Sequence, residues 1–504
     1  MTVMAMPFTG APSASESTFE AINWQKVVIE VRRLQMRIAK AYREGKHGRV
    51  KALQWLLTHS LSAKLLAVKR VVQNKGAKTP GVDGVIWKTS AQKIKAALGL
   101  KRRGYQAKPL KRIYIPKKQK GEHRPLSIPV MNCRGQQVLH MLSLEPVAEL
   151  KADKNAYGFR PLRSTADAIE QCFKALVKWH SSTYILEGDI RGCFDNISHS
   201  WLLGNIPMDK KILGKWLAAG YMEKGMVYPT GQGTPQGGPI SPTLLNLTLS
   251  GMEAAIHAAT RRQDKINVIV YADDFVITGA TKTVLEKTVK PIVEAFLSER
   301  GLSLSQEKTK ITHIDEGFDF LGMNIRKYNG KLIIQPAQSS TKRFLDDIHS
   351  IVKLNRTSKT EELIRQLNPK IRGWSNYYQH VCAKITFKYI DHNIFKSLWR
   401  WAVRRHPNKG LRWIKSRYFR NETLRNWIFS TIITDKQGNK RYLDLVEMSK
   451  TAIKRHIKIR ADATPYDPTY HEYLSKRIAV RESAKKSNKR PMWWLCWWDL
   501  LTPK

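Results

Sequence analysis

The tetrapeptide Tyr271-Ala272-Asp273-Asp274 separates two short apolar runs, residues 266–270 and 275–278. The pattern predicts strand, tight turn, strand, with two carboxylates at the tip. Adjacent negative charges on a buried hairpin are costly unless something positive meets them. The natural partner is a hard divalent cation with oxygen ligands. Two such ions, about 3.5–4 Å apart, clamp the attacking and leaving oxygens of a phosphoryl transfer. An isolated Asp-Asp turn is more often simply solvated, because Asp suits turns for local reasons. The β-branched flanks and a carboxylate further upstream favour the site.

That carboxylate is Asp189. It follows an apolar run, residues 183–188, that reads as a buried strand. Alone it could be no more than a strand-end cap. Successive strand residues point to opposite faces. Asp273 and Asp274 therefore cannot address the same ion equally, and Asp273 with Asp189 is the expected main pair.

Composition narrows the partner. The 504 residues include 87 Lys and Arg against 41 Asp and Glu, a formal net charge of +46. Such an excess calls for a polyanion, and nucleic acid is the first candidate. Residues 341–504 hold 36 basic and 14 acidic residues, about twice the net charge density of the rest. No apolar run of about 18 residues is present to span a membrane. The five cysteines show no C-x-x-C spacing. No zinc site is expected, and a reducing compartment suits them. The Ser-, Ala- and Pro-rich start lacks the basic and apolar regions of a secretory signal.

Helical periodicity predicts helices over residues 24–44, 49–73, 164–179 and 283–299. Ser241 and Pro242 are placed to start another, with Leu245, Leu249, Met252 and Ile256 on one face. This alternation of strands and helices gives an α+β region to about residue 335. Helices then dominate, with a capping box expected at Ser358 and Glu361 and a kink at Pro369.

The order of motifs over residues 110–325 resembles a reverse transcriptase. Lys111 to Lys117 and Arg124 to Pro129 match fingers motifs. Asn155-Ala156-Tyr157-Gly158-Phe159-Arg160-Pro161 and Gly233-Thr234-Pro235-Gln236-Gly237-Gly238-Pro239 follow. Glu307-Lys308-Thr309 and Phe320-Leu321-Gly322 match the last palm motifs. The resemblance implies a right-hand polymerase of fingers and palm, Mg2+ (two ions), deoxynucleoside triphosphates as substrates and a bound primer–template. Asp189, Asp273 and Asp274, with Ile190 beside them, would hold the ions. Lys117 and Arg124 would grip the triphosphate, although either could be a solvated hairpin charge. Phe194 stands where the family places its sugar gate, or is a core aromatic. Gln236, Gly237, Tyr271 and Ala272 would line the nucleotide pocket. Lys308 would protonate the leaving pyrophosphate, or is a surface lysine.

Ile371-Arg372-Gly373-Trp374-Ser375-Asn376-Tyr377-Tyr378 resembles the thumb, or X domain, of group II intron maturases. Arg455-His456-Ile457-Lys458-Ile459 and Thr464-Pro465-Tyr466-Asp467-Pro468 resemble the family's DNA-binding region. The implied domains are a disordered start (1–23), N-terminal helices with fingers and palm (24–335), an α-helical thumb (336–433) and a small basic DNA-binding region (434–504). The last resembles a truncated endonuclease remnant, so no endonuclease activity is expected. Arg372, Trp374, Tyr377, Tyr378, Arg404, Arg412, Lys415, Arg417, Arg420, Arg455, His456 and Lys458 are the expected nucleic-acid contacts. Most of the tryptophans, by contrast, are expected in the core.

The implied function is an RNA-directed DNA polymerase and maturase. It would bind its group II intron RNA, assist splicing and reverse splicing into a DNA target, and copy the intron there. Its place would be the bacterial cytoplasm, at the nucleoid. A retron-type or diversity-generating reverse transcriptase and a splicing-only maturase are the rivals. The Gly373-Trp374 segment weighs against the first, and the intact carboxylates weigh against the second.

Overall fold

The computed structural model describes residues 18–116, 123–234, 237–422, 425–435 and 437–483. The chain opens with helices α1 (Trp24–Arg43), α2 (His47–His59), α3 (Leu61–Gln73) and α4 (Ser90–Gly99). The single helix expected over 49–73 is two helices. Ser60 adopts extended backbone between them, and its side chain accepts a hydrogen bond from the amide of Ala63. These helices pack against α5 (Met131–Lys151) in one apolar core that includes Val31, Ile38, Leu57, Leu66 and Leu139.

The fingers sheet begins with β1 (Leu110–Pro116) and β2 (His123–Ile128), an antiparallel pair. Helix α6 (Thr165–Leu176) starts at a capping box made by Ser164 and Asp167. Strand β3 (Tyr184–Asp189) follows. A short hairpin, β4 (Tyr221–Glu223) and β5 (Met226–Tyr228), joins the fingers sheet, whose order is β2-β1-β4-β5. Helix α7 (Ser241–Leu249) begins one residue earlier than expected, with Ile240 rather than Ser241 at the cap. The apolar stripe through Met252 and Ile256 is broken at Gly251, whose φ of +96° ends one helix and opens the next.

A second four-stranded sheet, of order β6-β7-β3-β8, is built with β6 (Asn267–Tyr271), β7 (Asp274–Gly279) and β8 (Lys310–His313), where the palm is expected. Its β3–β7 and β6–β7 pairs are antiparallel. A meander of β9 (Phe318–Phe320), β10 (Met323–Tyr328) and β11 (Lys331–Pro336) leads out of it.

Helices α8 (Gln338–Leu354), α9 (Thr360–Tyr378), α10 (Lys384–Arg405) and α11 (Leu411–Tyr418) form the next layer. The capping box expected at Ser358 is absent. Lys359 is the cap residue, and the Ser358 hydroxyl donates to Asn355 instead. Pro369 lies within one continuous helix, α9. The all-helical expectation for this part also needs correction. A three-stranded sheet follows α11, with β12 (Phe419–Glu422), β13 (Arg425–Thr434) and β14 (Lys440–Asp444) in sequence order. Its Phe419 and Phe429 pack with Trp401 and Tyr418 of the helices, which explains why aromatics cluster there.

One core runs from α6 and the β9–β11 meander through α8–α10 to α12 (His471–Ser483). The four-stranded sheet is thus coupled by packed apolar side chains to α8–α10 and α12.

Candidate active site

Tyr271 and Asp274 are register partners, so Ala272 and Asp273 form a two-residue hairpin turn. Ala272 takes the left-handed φ of +60° that such turns require. The neighbouring segment packs hard against this turn. Ala156 bridges to Val270, and the amide of Tyr157 donates to the Val270 carbonyl at 2.9 Å. A Cβ on Gly158 would lie 2.2 Å from the Ala272 nitrogen, so only glycine permits the approach. The Asn155–Pro161 motif is therefore a backing for the Tyr271–Asp274 hairpin.

Asp189 and Asp274 face each other directly across the β3–β7 ladder. The expected main pair was Asp189 with Asp273. Asp273 sits within the turn, while Asp274 is the first residue of the ladder. Loss of solvent around it, then the charges of Asp273 and Asp189, push the Asp274 carboxyl up to about 6. Asp274 is exposed as a residue, while its carboxyl meets that of Asp189.

Lys308 Nζ lies 2.9 Å from Asp189 Oδ2. The loop that carries it is tied to the Asp189 strand, since the Ser305 amide donates to the Asp189 carbonyl and the Arg191 amide to that of Ser303. Ile190, buried, bridges to Leu304. The lysine's own affinity for its proton is raised by Asp189 above all, and also by Asp274 and Asp273. Among the described residues, no three His, Cys, Asp or Glu side chains are drawn together as a metal cage. Asp274 and Asp189 bring their carboxyl groups together, and the Lys308 ammonium bonds Asp189. The donor set still fits a hard cation. It is all carboxylate, converges from two adjacent strands and carries one acid whose negative charge is under-compensated.

Beside the carboxylates, Phe194 is buried and meets Phe159 edge-on, with ring centroids 6.4 Å apart. Its carbonyl accepts from the Thr234 amide at 2.6 Å, so the Gly233 loop is pinned to this turn. A Cβ on Gly233 would meet the Asp195 carbonyl oxygen at 2.4 Å. Gly237, at φ +112°, approaches the Ser127 carbonyl of β2 and so brings the same loop against the fingers. Arg124 is exposed on β2, opposite Ile115. Tyr271 is half-buried and Ala272 buried. Lys117 and Gln236 lie outside the described residues. In sequence, Phe159 is only a letter of the Asn155–Pro161 motif. Its φ of +56°, which holds an exposed ring beside Phe194, is invisible in sequence.

The expected nucleic-acid contacts divide. Arg372, Arg404, Arg412, Arg417 and Arg455 are exposed. Lys415 Nζ lies 4.5 Å from the centroid of Trp427. The others make contacts within the chain, and Tyr377 keeps part of its ring exposed. Trp374 packs among Phe344, Tyr378 and Phe387. Tyr377 and Tyr378 donate their hydroxyls to the carbonyls of Leu321 and Gly322, at 2.9 and 3.0 Å. Arg420 is engaged by Asp444 through two bonds, at 3.0 and 2.7 Å. His456 meets the fully buried Asp167 at 2.9 Å, and Lys458 donates to Gln171 at 2.6 Å. A segment rich in His, Lys and Arg reads as nucleic-acid binding when its acidic partner lies about 290 residues earlier.

The chain matches three family models in series. These are the N-terminal domain of reverse transcriptase over residues 19–100, reverse transcriptase (RNA-dependent DNA polymerase) over 115–325, and the group II intron maturase-specific domain over 341–419. It is 30% identical over 306 residues to protein YkfC of Escherichia coli, covering 51% of this chain and 78% of that one. It is 27% identical over 409 residues to the group II intron-encoded protein LtrA of Lactococcus lactis, covering 62% of this chain and 68% of the relative. A telomerase from Candida albicans, solved with a fragment of telomeric RNA, aligns at 12% identity with a TM-score of 0.35. The alignment covers 62% of this chain and 65% of the telomerase, so the chain spans just under two thirds of that structure. Fold and matches together define a reverse transcriptase. The chain belongs to the reverse transcriptases and maturases encoded by group II introns. It is an RNA-directed DNA polymerase that carries a maturase domain.

Proposed function

We propose that Asp189, Asp273 and Asp274 hold two Mg2+ ions, and that the chain copies its own intron RNA from a DNA primer after reverse splicing into a DNA target. The observation that carries this reading is the direct pairing of Asp189 with Asp274 at the mouth of the palm sheet, with Lys308 beside them. When bound, the ions supply activation of the primer 3′-hydroxyl and neutralisation of the departing pyrophosphate. The chain's own groups supply the rest. Lys308 holds a proton within reach of the carboxylates, where the pyrophosphate would leave. Arg124 meets triphosphate oxygens with a planar fork. Phe194, braced by Phe159, stands against a ribose 2′-hydroxyl and favours deoxynucleotides.

Residues 24–335 are read as N-terminal helices, fingers and palm, and 336–433 as the thumb. The exposed arginines of α9–α11 then give the intron RNA a basic surface, and residues from 434 onward add contacts to the DNA target. Primer extension on poly-rA with oligo-dT tests the division of labour. Asp273→Ala removes extension and leaves intron RNA binding close to that of the unaltered chain. Extension that survives, or RNA binding that collapses with it, overturns the reading.

A further inference from the structure

The N-terminal helices line a solvent-open cavity of about 710 Å3 that shares no residue with the carboxylate site. Its size lies within the range of small-molecule sites. Phe19, Trp24 and Trp87 give it flat apolar walls, and Lys69, Lys78 and Lys88 place ammonium groups along them. Charge and π face come together: Lys69 Nζ lies 4.1 Å from the centroid of the Trp24 ring. The one acid on the wall, Glu20, is matched by its own lysine, Lys93, at 3.2 Å. The cavity is therefore positive overall, with aromatic surfaces inside it.

We propose that this cavity takes one unpaired nucleotide of a bound RNA, its base against Trp24 or Trp87 and its flanking phosphates met by Lys78 and Lys88. Aromatic faces accept any base by stacking, and lysines meet phosphate without demanding one geometry. A free nucleoside triphosphate fits less well. No arginine lines the cavity to clamp a polyphosphate bidentately, so affinity must come from a longer RNA held elsewhere as well. The proposal rests on RNA as the partner of this protein and extends that partner to a second place on the chain.

The test uses the full chain and a short single-stranded RNA carrying one 4-thiouridine. Ultraviolet cross-linking followed by peptide mapping places the base at α1, α3 or residues 86–88. Lys78→Glu together with Lys88→Glu, both at exposed positions, weakens binding of this RNA roughly tenfold while a fully paired RNA duplex is affected much less. Cross-links confined to other parts of the chain overturn the proposal. So does an equal loss for the duplex, which describes a diffuse phosphate surface. Strong competition by an acidic peptide, lost in the double variant while the RNA cross-links stay absent, also overturns it and assigns the cavity to a protein partner. Trp87→Leu provides a second variant, with its melting temperature recorded to separate loss of stacking from loss of fold. Poly-rA extension measured alongside reports on the palm reading independently.

Discussion

Tyr378 donates its hydroxyl to the carbonyl of Gly322 at 3.0 Å, which joins the last palm motif to the first helical motif beyond it. Gly322 has φ +77°, and a Cβ there would lie 3.0 Å from the tyrosine oxygen. Two segments that resemble separate signatures in sequence are the two halves of one joint. Gly322→Ala strains the backbone and crowds the hydroxyl, so stability falls by about 1–2 kcal/mol. Tyr378→Phe removes one hydrogen bond and costs about 1 kcal/mol. Urea midpoints at constant slope measure both, and an unchanged midpoint for Gly322→Ala refutes the joint.

Gly188 stands one residue before Asp189, and a Cβ there would fall 2.1 Å from the Phe275 ring. Gly188→Ala therefore overpacks the palm by about 1–3 kcal/mol and displaces Asp189. Phe275→Leu in the same chain makes room and restores part of the lost stability and polymerisation. A double variant no better than the single one shows that the ring is not the obstacle.

The Asp274 carboxyl is raised to about 6 by loss of solvent and by two neighbouring carboxylates. A carboxyl raised in the fold binds its proton more tightly there than when unfolded. It adds stability below the unfolded value near 4 and loses it as pH rises through 6. Asp274→Asn removes that penalty. In the absence of divalent cations, the variant is more stable than the unaltered chain by about 1 kcal/mol at pH 7.5, after discounting for exposure, and the gain disappears near pH 4. Thermal melts across this range check the sign, and a loss of stability at pH 7.5 contradicts it.

His140 and His380 are lowered to about 4, chiefly by burial. Both stay neutral in the fold while the unfolded chain protonates near 6.5. Their contribution to stability is intact above 6.5 and falls away as pH drops from 6.5 towards 4. Each is worth about 2–3 kcal/mol at the acid end. His380→Gln flattens this slope, as chemical denaturation at pH 7 and pH 5 shows by a smaller difference than in the unaltered chain. Parallel losses in both proteins leave His380 with no part in it.

Asp167 is fully buried and holds three groups of the C-terminal segment: His456 at 2.9 Å, the Ile459 amide at 2.8 Å and Arg477 at 2.5 Å. Although burial opposes ionisation, these partners together hold the carboxyl well below its usual range. Asp167→Asn leaves Arg477 short of its counter-charge and loosens residues 452–478 by about 3–5 kcal/mol. Hydrogen exchange across that segment rises while β3 and β7 stay protected. The same variant separates a structural His456 from a nucleic-acid contact. Intact exchange protection alongside a specific loss of RNA affinity refutes the structural role.

The carboxylate hairpin, Asp189 at the end of its strand and the alternation of strands and helices were legible because they depend on local patterns. Apolar period, turn residues and short-range spacing act within a few positions of each other. Glycines 158, 188, 233 and 322 were visible as letters, but the close approaches that require them involve backbone or rings far away in the chain.

Sequence by itself determined the chemistry: three carboxylates, a lysine after them, a strong positive charge and the order of elements that carries them. Tertiary structure alone decided the partners. It put Asp274, rather than Asp273, opposite Asp189, turned Trp374, Tyr378, His456 and Lys458 inward, and added a sheet after the last long helix. The reason is physical. A side chain's type is fixed by its own covalent structure, whereas its neighbour is chosen by packing among residues hundreds of positions apart, and a basic or aromatic residue satisfies a buried acid or a core as readily as it meets a phosphate.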